Sequence, residues 1–239
     1  GSEEVWADAQ PVHQVTLDGF WIGRCEVTND QYAAFLNQAR PADIYEYLAF
    51  AGEECGVELV GDTYQAKAGM GEYPIVYVRW TGAAAYCEHY GYTLPTEAQW
   101  EYAAAGPDAN RYPWGADWDV AKCCNGENQG PLYDTQLVGF FEVGSFPQGA
   151  SWCGALDMAG NVFEWCADWF DMFYYESSPE LNPTGPTEPP FEEGSERVLR
   201  GGSWVSDDWY CRCALRMSWA PDGFGDQYGF RVAMGEIVN

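Results

Sequence analysis

The sequence is poor in basic residues. Lysine and arginine together number 11, against 37 aspartate and glutamate residues, which gives a formal net charge of −26 over 239 residues. A surface with this excess of negative charge repels phosphate backbones and anionic lipid headgroups. We therefore expect no nucleic-acid partner and no direct membrane insertion, and the charge favours cationic partners or bound metal ions. The competing interpretation is that the acidic residues only keep the protein soluble.

The chain also lacks the features that mark a zinc site or a membrane span. It has two histidines, His13 and His89, and its nine cysteines form no C-x-x-C pair, so a structural zinc site is poorly supported. An odd number of cysteines leaves at least one thiol unpaired. No apolar run reaches the ~20 residues of a membrane-spanning helix. Gly1-Ser2 resembles a protease cleavage scar, so a missing signal peptide is uninformative about export.

Aromatic side chains are abundant, with 12 Trp, 16 Tyr and 12 Phe. Because 47% of the residues are hydrophobic, a chain of this length can bury a substantial core. We find no internal repeat. The prediction is a single α+β domain over 1–239, with its core over 12–234 and little regular secondary structure. An acidic, proline-rich stretch over 177–195 is predicted to be an exposed excursion.

Three helices are predicted from capping residues followed by a 3–4-residue apolar spacing. Thr28 and Thr96 each begin a T-x-x-Q capping box. A third helix is predicted to follow Thr81 and to end at Gly91. The strand predictions are 14–17 and 20–23, joined as a hairpin by an Asp-Gly turn, together with 74–78 and 197–200.

The stretch 200–231 has ends and a middle of different character. Its ends are rich in the glycine, arginine and aromatic residues that fix a backbone, whereas 205–226 has no helical or strand period. A long aperiodic segment in a rigid frame is typical of a binding surface, and the alternative is an ordinary surface loop with its tryptophans in the core. The residues predicted to contact a ligand are Val205, Ser206, Asp207, Asp208, Trp209, Tyr210, Cys211, Cys213, Leu215, Ser218, Trp219, Ala220, Asp222, Gly223, Phe224 and Asp226.

Several motifs follow one another along nearly the whole chain. They are FWIG and EVTN within 20–29, PIV followed by V and W within 74–80, LPTEAQWEYA at 94–103, YPWG at 112–115, VGSFP at 143–147, DMAGNVFEW at 157–165, RGGSW at 200–204 and GFR at 229–231. This series resembles the formylglycine-generating enzyme (sulfatase-modifying factor) domain family, which implies a C-type-lectin-like fold. The family hosts oxidases, pathway enzymes and pure binding proteins, so the resemblance does not fix the function.

The resemblance implies two catalytic cysteines, five residues apart, that hold copper as thiolates. In this sequence the first position falls on Ser206 and the second on Cys211, and a hydroxyl cannot replace a thiolate as a ligand for soft copper. We therefore expect no copper site and no oxidase of the family type. The alternative is a thiol-dependent oxidoreductase of the same family that uses Cys211, Tyr210 and Ser203 with an altered cofactor site. A non-catalytic alternative for Cys211 and Cys213 is burial or a disulfide.

The resemblance also implies structural Ca²⁺, which takes 6–8 oxygen ligands. At the first site Asp157 and Glu164 would bind through their side chains, and Gly160 and Val162 through their carbonyls. The alternative is that these two acids only cap turns. The second, weaker site would use Asn125, Gly126 and Asp134.

A subset of this family serves as the target protein of diversity-generating retroelements, in which residues between fixed positions near the C-terminus are randomised. The layout of 200–231 resembles that arrangement. We therefore expect a non-catalytic ligand-binding protein that displays a variable surface. Its ligand would be a protein or another surface ligand, and the acidic residues favour a cationic one. Such a role implies a location outside the cytoplasm or at the cell surface.

Overall fold

Three short helices and eight short strands carry the regular structure of residues 1–2, 6–49, 55–131 and 139–236, which this computed structural model describes. The helices are α1 (Asn29–Ala39), α2 (Trp80–Tyr90) and α3 (Glu97–Ala105). Short 3₁₀ turns lie at Ala7–Ala9, Ile44–Glu46, Val120–Lys122, Pro147–Gly149 and Tyr174–Glu176. Long ordered loops connect these elements, so the predicted α+β class with little regular structure is confirmed.

The helix ends follow the local sequence signals. Both predicted capping boxes are present, because the side chains of Thr28 and Thr96 each accept the backbone N–H three residues later, and the glutamine there bonds back. Helix α2 begins one residue before Thr81. It ends at Gly91, whose φ of 77° allows its N–H to reach the last carbonyls.

The main sheet has four strands in the order β6–β5–β4–β7. Its strands are β4 (Phe163–Trp169), β5 (Arg197–Arg200), β6 (Met217–Trp219) and β7 (Tyr228–Gly229). Strand β5 pairs antiparallel with β4 and β6, whereas β7 runs parallel to β4. The predicted strand at 197–200 is confirmed. The sheet therefore brings both ends of the 200–231 stretch onto one central strand, β4.

Two smaller pairs complete the strands, and one of them overturns the predicted hairpin. Strand β1 (Phe20–Ile22) pairs antiparallel with β8 (Ala233–Gly235) and not with 14–17. Thr16 instead forms a parallel bridge to Leu181. The other pair is β2 (Val57–Val60) with β3 (Thr63–Ala66). The predicted strand at 74–78 forms only single bridges at Pro74 and Val78.

The largest core lies between α1, α2 and β4, where Tyr32, Phe35 and Trp165 are buried. A second core packs α3 through Trp100 against β4 and β5. Most residues of the 177–195 excursion are exposed, although Pro183 and Gly185 are buried. Within the described ranges, no helix combines the length and the apolar character needed to cross a bilayer.

Candidate functional site

Two buried arginines fix the first half of the 200–231 stretch to helix α3. Arg200 donates from Nη1 to Glu97 at 3.1 Å and from Nη2 to Glu101 at 2.6 Å. Arg216 forms a two-pronged contact with the same Glu97, from Nε at 2.7 Å and Nη2 at 2.9 Å. Such charge-assisted fork contacts are strong and directional. The carboxylate of Glu97 therefore joins the start and the middle of the stretch.

A third buried arginine fixes the end of the stretch. Arg231 contacts both carboxylate oxygens of Glu164 on β4 at 2.6 Å. The indole N–H of Trp100 donates to the same carboxylate at 2.8 Å. Both charged residues are fully buried, so each depends on the other for charge compensation. The frame expected from the sequence is thus built from arginine–glutamate pairs.

Between these anchor points the predicted ligand-binding residues divide into an outer and an inner set. The exposed residues are Val205, Asp207, Trp219, Asp222 and Phe224, and the half-buried ones are Asp208, Trp209, Tyr210, Ser218, Ala220, Gly223 and Asp226. The inner set is Ser206, Cys211, Cys213 and Leu215, all of which are buried. Their predicted place on the binding surface is therefore wrong, because these four side chains pack beneath it.

Ser206 has a structural role in a turn. Its hydroxyl accepts the backbone N–H of Ser203 at 2.9 Å, and its own N–H donates to the Ser203 carbonyl at 2.9 Å. The Ser206 carbonyl in turn accepts the N–H of Gly126 at 2.8 Å. The hydroxyl of Ser203 donates to Gln227 at 3.0 Å. These contacts fix the backbone from which Val205 and the residues after it project.

The first part of the outer set is ordered by local contacts. Asp207 accepts the backbone N–H groups of Trp209 and Tyr210, which closes a turn at 207–210. The guanidinium of Arg212 lies 4.0 Å from the centre of the Trp209 ring. Trp6 packs edge-on against Tyr210. This part of the surface is preorganised, which would lower the entropy cost of binding a ligand there.

The second part of the outer set is a turn around 221–225. Phe224 lies beneath the guanidinium of Arg79 at 4.9 Å, and Arg79 also donates to the carbonyl of Asp222. Trp219 is 45% exposed and contacts Tyr228 with ring centres 5.8 Å apart. The exposed face therefore combines rigid aromatic rings with carboxylates.

The three residues of the catalytic alternative are close in sequence, and two of them, Ser203 and Cys211, are buried. Cys211 is fully buried. A hydrogen bond to the thiol of Cys123, together with burial, raises the pKa of Cys211 well above its usual range. A buried neutral thiol is a poor nucleophile. A cleft of about 800 Å³ lies elsewhere, between α3 and the 12–20 segment, and none of the predicted ligand-binding residues lines it.

The first predicted calcium site contains more acidic side chains than the sequence predicted. Asp157 accepts the N–H of Gly144 at 2.6 Å, and Glu164 is committed to Arg231. Glu26 is buried beside them, where its carboxylate interacts with that of Asp157 and its Oε1 accepts the side-chain amide of Asn161 at 3.0 Å. Burial, with the charges of Asp157 and Glu164, raises the pKa of Glu26 well above its usual range. Hard oxygen donors of this kind suit Ca²⁺, but Glu164 shares its carboxylate with a guanidinium.

The second predicted calcium site is only partly described. The side-chain oxygen of Asn125 accepts the N–H groups of Glu127 at 2.7 Å and Asn128 at 3.0 Å, so it closes a turn. Gly126 contacts Ser206, and Asp134 lies outside the described residues. Over the part of the chain that the structure describes, no group of three or more His, Cys, Asp or Glu side chains is arranged to hold a metal.

Two residues that matter to this site were not predicted from the sequence. Glu97 organises two of the frame arginines, and its only signal was its place in the LPTEAQWEYA motif. Cys123 contacts Cys211, and no spacing pattern could show this because the two residues are far apart along the chain. Both contacts depend on loops whose course is set by long-range packing.

The fold and the frame define a domain class, and comparison with known proteins agrees with it. The chain belongs to the family of the sulfatase-modifying factor enzyme 1-like domain, whose family model matches residues 1–235. It is similar to the formylglycine-generating enzyme of Streptomyces coelicolor, with 35% identity over 262 residues that cover 93% of this chain and 80% of that protein.

Two further relatives extend the comparison. The serine/threonine-protein kinase Pkn1 of Chlamydia trachomatis serovar L2 is 36% identical over 235 residues, which are 98% of this chain. The chain spans only 36% of the length of that relative. The solved structure of Treponema denticola variable protein 1 superposes with a TM-score of 0.67 and 26% identity, covering 93% of this chain and 86% of that one. The predicted fold and family are confirmed.

Proposed function

We propose that the chain is a non-catalytic ligand-binding domain that presents its 205–226 segment as the binding surface. The observation that carries this proposal is the position of the Ser206 hydroxyl, which closes a turn with Ser203 at 2.9 Å. The family resemblance would place a copper thiolate at this position. A turn-closing hydroxyl is not a soft ligand for copper, whereas the neighbouring Val205 and Asp207 side chains are exposed.

The chemistry of the exposed face supports a cationic partner. Trp219 and Phe224 offer rigid apolar area at low entropy cost. Asp207 and Asp222 are exposed beside them and can pair with lysine or arginine side chains. The net charge of −26 would steer such a partner toward the domain and raise its association rate. A protein surface rich in basic residues fits both features.

We further propose that this surface varies between copies of the gene, as in the target proteins of diversity-generating retroelements. The structural similarity to Treponema denticola variable protein 1 and the anchored frame support this proposal. A display role of this kind fits a location outside the cytoplasm or at the cell surface. Sequencing the DNA beside the gene tests it: a near-copy of codons 200–231 that differs mainly at adenines is expected, and its absence would contradict the variation.

The binding surface can be tested without knowing the natural ligand. The probe is a random peptide library displayed on phage and selected on the purified domain. We expect selected peptides to be enriched in lysine and arginine. Their affinity should fall roughly 10-fold or more for Trp219→Ala, because truncating a central aromatic contact costs above 1 kcal/mol. Calorimetry or surface plasmon resonance with synthetic peptides measures the loss.

The matched control is Phe191→Ala, which removes an aromatic side chain that is 67% exposed on the 177–195 excursion. This variant should bind the selected peptides like the unmodified domain. If the selected peptides bind Phe191→Ala more weakly but bind Trp219→Ala as tightly as the unmodified domain, the binding face lies elsewhere. That result would refute the assignment of 205–226.

The second candidate function is a thiol-dependent oxidoreductase, which the similarity to a formylglycine-generating enzyme favours. It would use Cys211, with Tyr210 and Ser203 nearby. Titration with Cu(I) and an oxygen-uptake assay with a thiol-containing peptide distinguish the two candidates. The binding proposal expects neither stoichiometric tight copper nor turnover. Turnover that Cys211→Ser abolishes would establish the enzyme and overturn the proposal.

A further inference from the structure

Two cysteines from distant parts of the chain meet beneath the candidate binding surface. Cys123 follows the 3₁₀ turn Val120–Lys122, and Cys211 lies in the 205–226 segment. The two side chains pack together with Ala159 in one buried cluster. Cys123 is 2% exposed and Cys211 is 0% exposed. The side chain of Cys123 also interacts with the Cys211 thiol and contributes to the raised pKa of Cys211.

The backbones that carry these thiols are held together by further contacts. The N–H of Gly126 donates to the carbonyl of Ser206 at 2.8 Å. A Cβ on Gly126 would lie 3.0 Å from the Val205 carbonyl oxygen, so the two chain segments approach closely at this glycine. The side-chain amide of Asn125 lies 3.8 Å from the sulfur of Cys123. These contacts hold the backbone around Gly126 beside the backbone of Val205 and Ser206.

The adjacent cysteines along the chain are placed differently. Cys124 directs its thiol to the carbonyl of Gly139 at 3.3 Å. Cys213 lies in the separate core cluster that contains Trp100. Neither packs in the cluster of Cys123, Cys211 and Ala159. The structure thus singles out one pair among the four neighbouring cysteines.

We propose that Cys123 and Cys211 are a redox pair that closes as a disulfide and joins the 119–128 loop to the candidate binding segment. The oxidant is a low-molecular-weight disulfide, RSSR. The Cys123 thiolate attacks one sulfur of RSSR, forms a mixed disulfide and releases one thiolate. The Cys211 thiolate then attacks the Cys123 sulfur and releases the second. The two cysteine protons end on the leaving groups, so RSSR is reduced to two RSH as the protein bond forms.

The cross-link has a structural consequence that does not depend on the proposed function. It closes a long loop of the chain and so restricts the unfolded state. It also fixes the backbone of 205–211 to a second loop beneath the exposed side chains. Because both sulfurs are buried, exchange requires transient opening of this region and is expected to be slower than for an exposed thiol.

The test uses oxidised glutathione as the probe on the whole chain. The protein is incubated in glutathione buffers of increasing oxidised fraction, quenched with acid and alkylated. After alkylation the oxidised protein should carry two fewer alkyl groups than the reduced form, as read from its intact mass, and peptide mapping should show a Cys123–Cys211 link. The melting temperature should rise by roughly 5–15 °C, from the usual stabilisation by a disulfide in a chain of this size.

Matched variants separate this pair from its neighbours. Cys124→Ser and Cys213→Ser should keep the link, whereas Cys123→Ser and Cys211→Ser should abolish it. Should the last two fail to fold, alkylation of the unmodified protein replaces them, with Cys123 and Cys211 becoming protected together on oxidation. A link through Cys124 or Cys213, a glutathione adduct alone, or no oxidation product would each overturn the proposal.

Discussion

Asp168 illustrates what burial does to a single residue of this domain. It lies on β4 and is 3% exposed, and its carboxylate accepts the backbone N–H of Glu97 at 2.8 Å. Burial, with the nearby charge of Glu97, raises the pKa of Asp168 from its usual 3.8 to about 8. The native protein therefore keeps this carboxyl protonated at neutral pH, whereas the unfolded chain ionises it.

This difference predicts that the stability contribution of Asp168 falls as pH rises. Between about pH 4 and pH 8 the folded state binds one proton more than the unfolded state, so each increase in pH favours unfolding. Asp168→Asn keeps an oxygen for the Glu97 N–H and cannot ionise. We expect the unmodified protein to lose roughly 1–3 kcal/mol relative to this variant between pH 5 and pH 8, measured by urea unfolding.

The control for that comparison is Asp119→Asn, a surface position whose side chain is 46% exposed beside Lys122. The Asp119→Asn variant should show the same dependence of the unfolding free energy on pH as the unmodified protein. Parallel profiles for the unmodified protein and Asp168→Asn would show that Asp168 is ionised in the native state, contrary to the prediction.

At the scale of structural elements, the turn 201–203 decides how the candidate surface leaves strand β5. Gly202 has a φ of 80°, which side-chain-bearing residues rarely adopt. A Cβ there would lie 3.0 Å from both the Cys211 sulfur and the Tyr210 carbonyl oxygen. The glycine is therefore required twice, by its backbone conformation and by the close approach of the 210–211 backbone.

Gly202→Ala should destabilise the domain more than a glycine-to-alanine change whose only cost is the positive φ imposed on the alanine. The comparison is Gly61→Ala in the β2–β3 turn, where φ is 61° and a Cβ would have open space around it. We expect about 1 kcal/mol for Gly61→Ala and roughly 2–3 kcal/mol for Gly202→Ala, from denaturant unfolding. Equal losses would mean that the segment after Gly202 moves freely to accept the extra carbon.

The elements also show which parts of this structure a sequence can predict. The capping boxes at Thr28 and Thr96 depend on residues three apart, so local pattern was sufficient. The partner of β1 is instead β8, at the other end of the chain, and local turn chemistry wrongly favoured a hairpin. Within 205–226 the sequence could not show that Cys211 is buried and Asp207 is exposed, because irregular backbone has no period that assigns side chains to a face.

At the scale of the whole molecule, the net charge of −26 sets a background of self-repulsion. At 0.1 M salt, repulsion between exposed charges more than about 10 Å apart is largely screened. Monovalent salt should therefore raise the melting temperature modestly.

The same negative charge would favour a bound divalent cation. Glu26, Asp157 and Glu164 are buried together near Arg231, whose guanidinium hydrogen-bonds to Glu164 and acts on Glu26 and Asp157 through its charge. We therefore propose that Ca²⁺ binds at Asp157.

Screening and specific binding can be separated at constant ionic strength. Melting is followed in NaCl, MgCl₂ and CaCl₂ after dialysis against a chelator. Specific binding predicts that Ca²⁺ raises the melting temperature by several degrees beyond Mg²⁺, because its larger, more flexible coordination shell tolerates irregular loop oxygens. Asp157→Asn should remove this excess, whereas Glu188→Asn on the exposed excursion should keep it. If all three salts act alike, the acids at this site are neutralised by protons and Arg231, and the −26 charge acts only through screening.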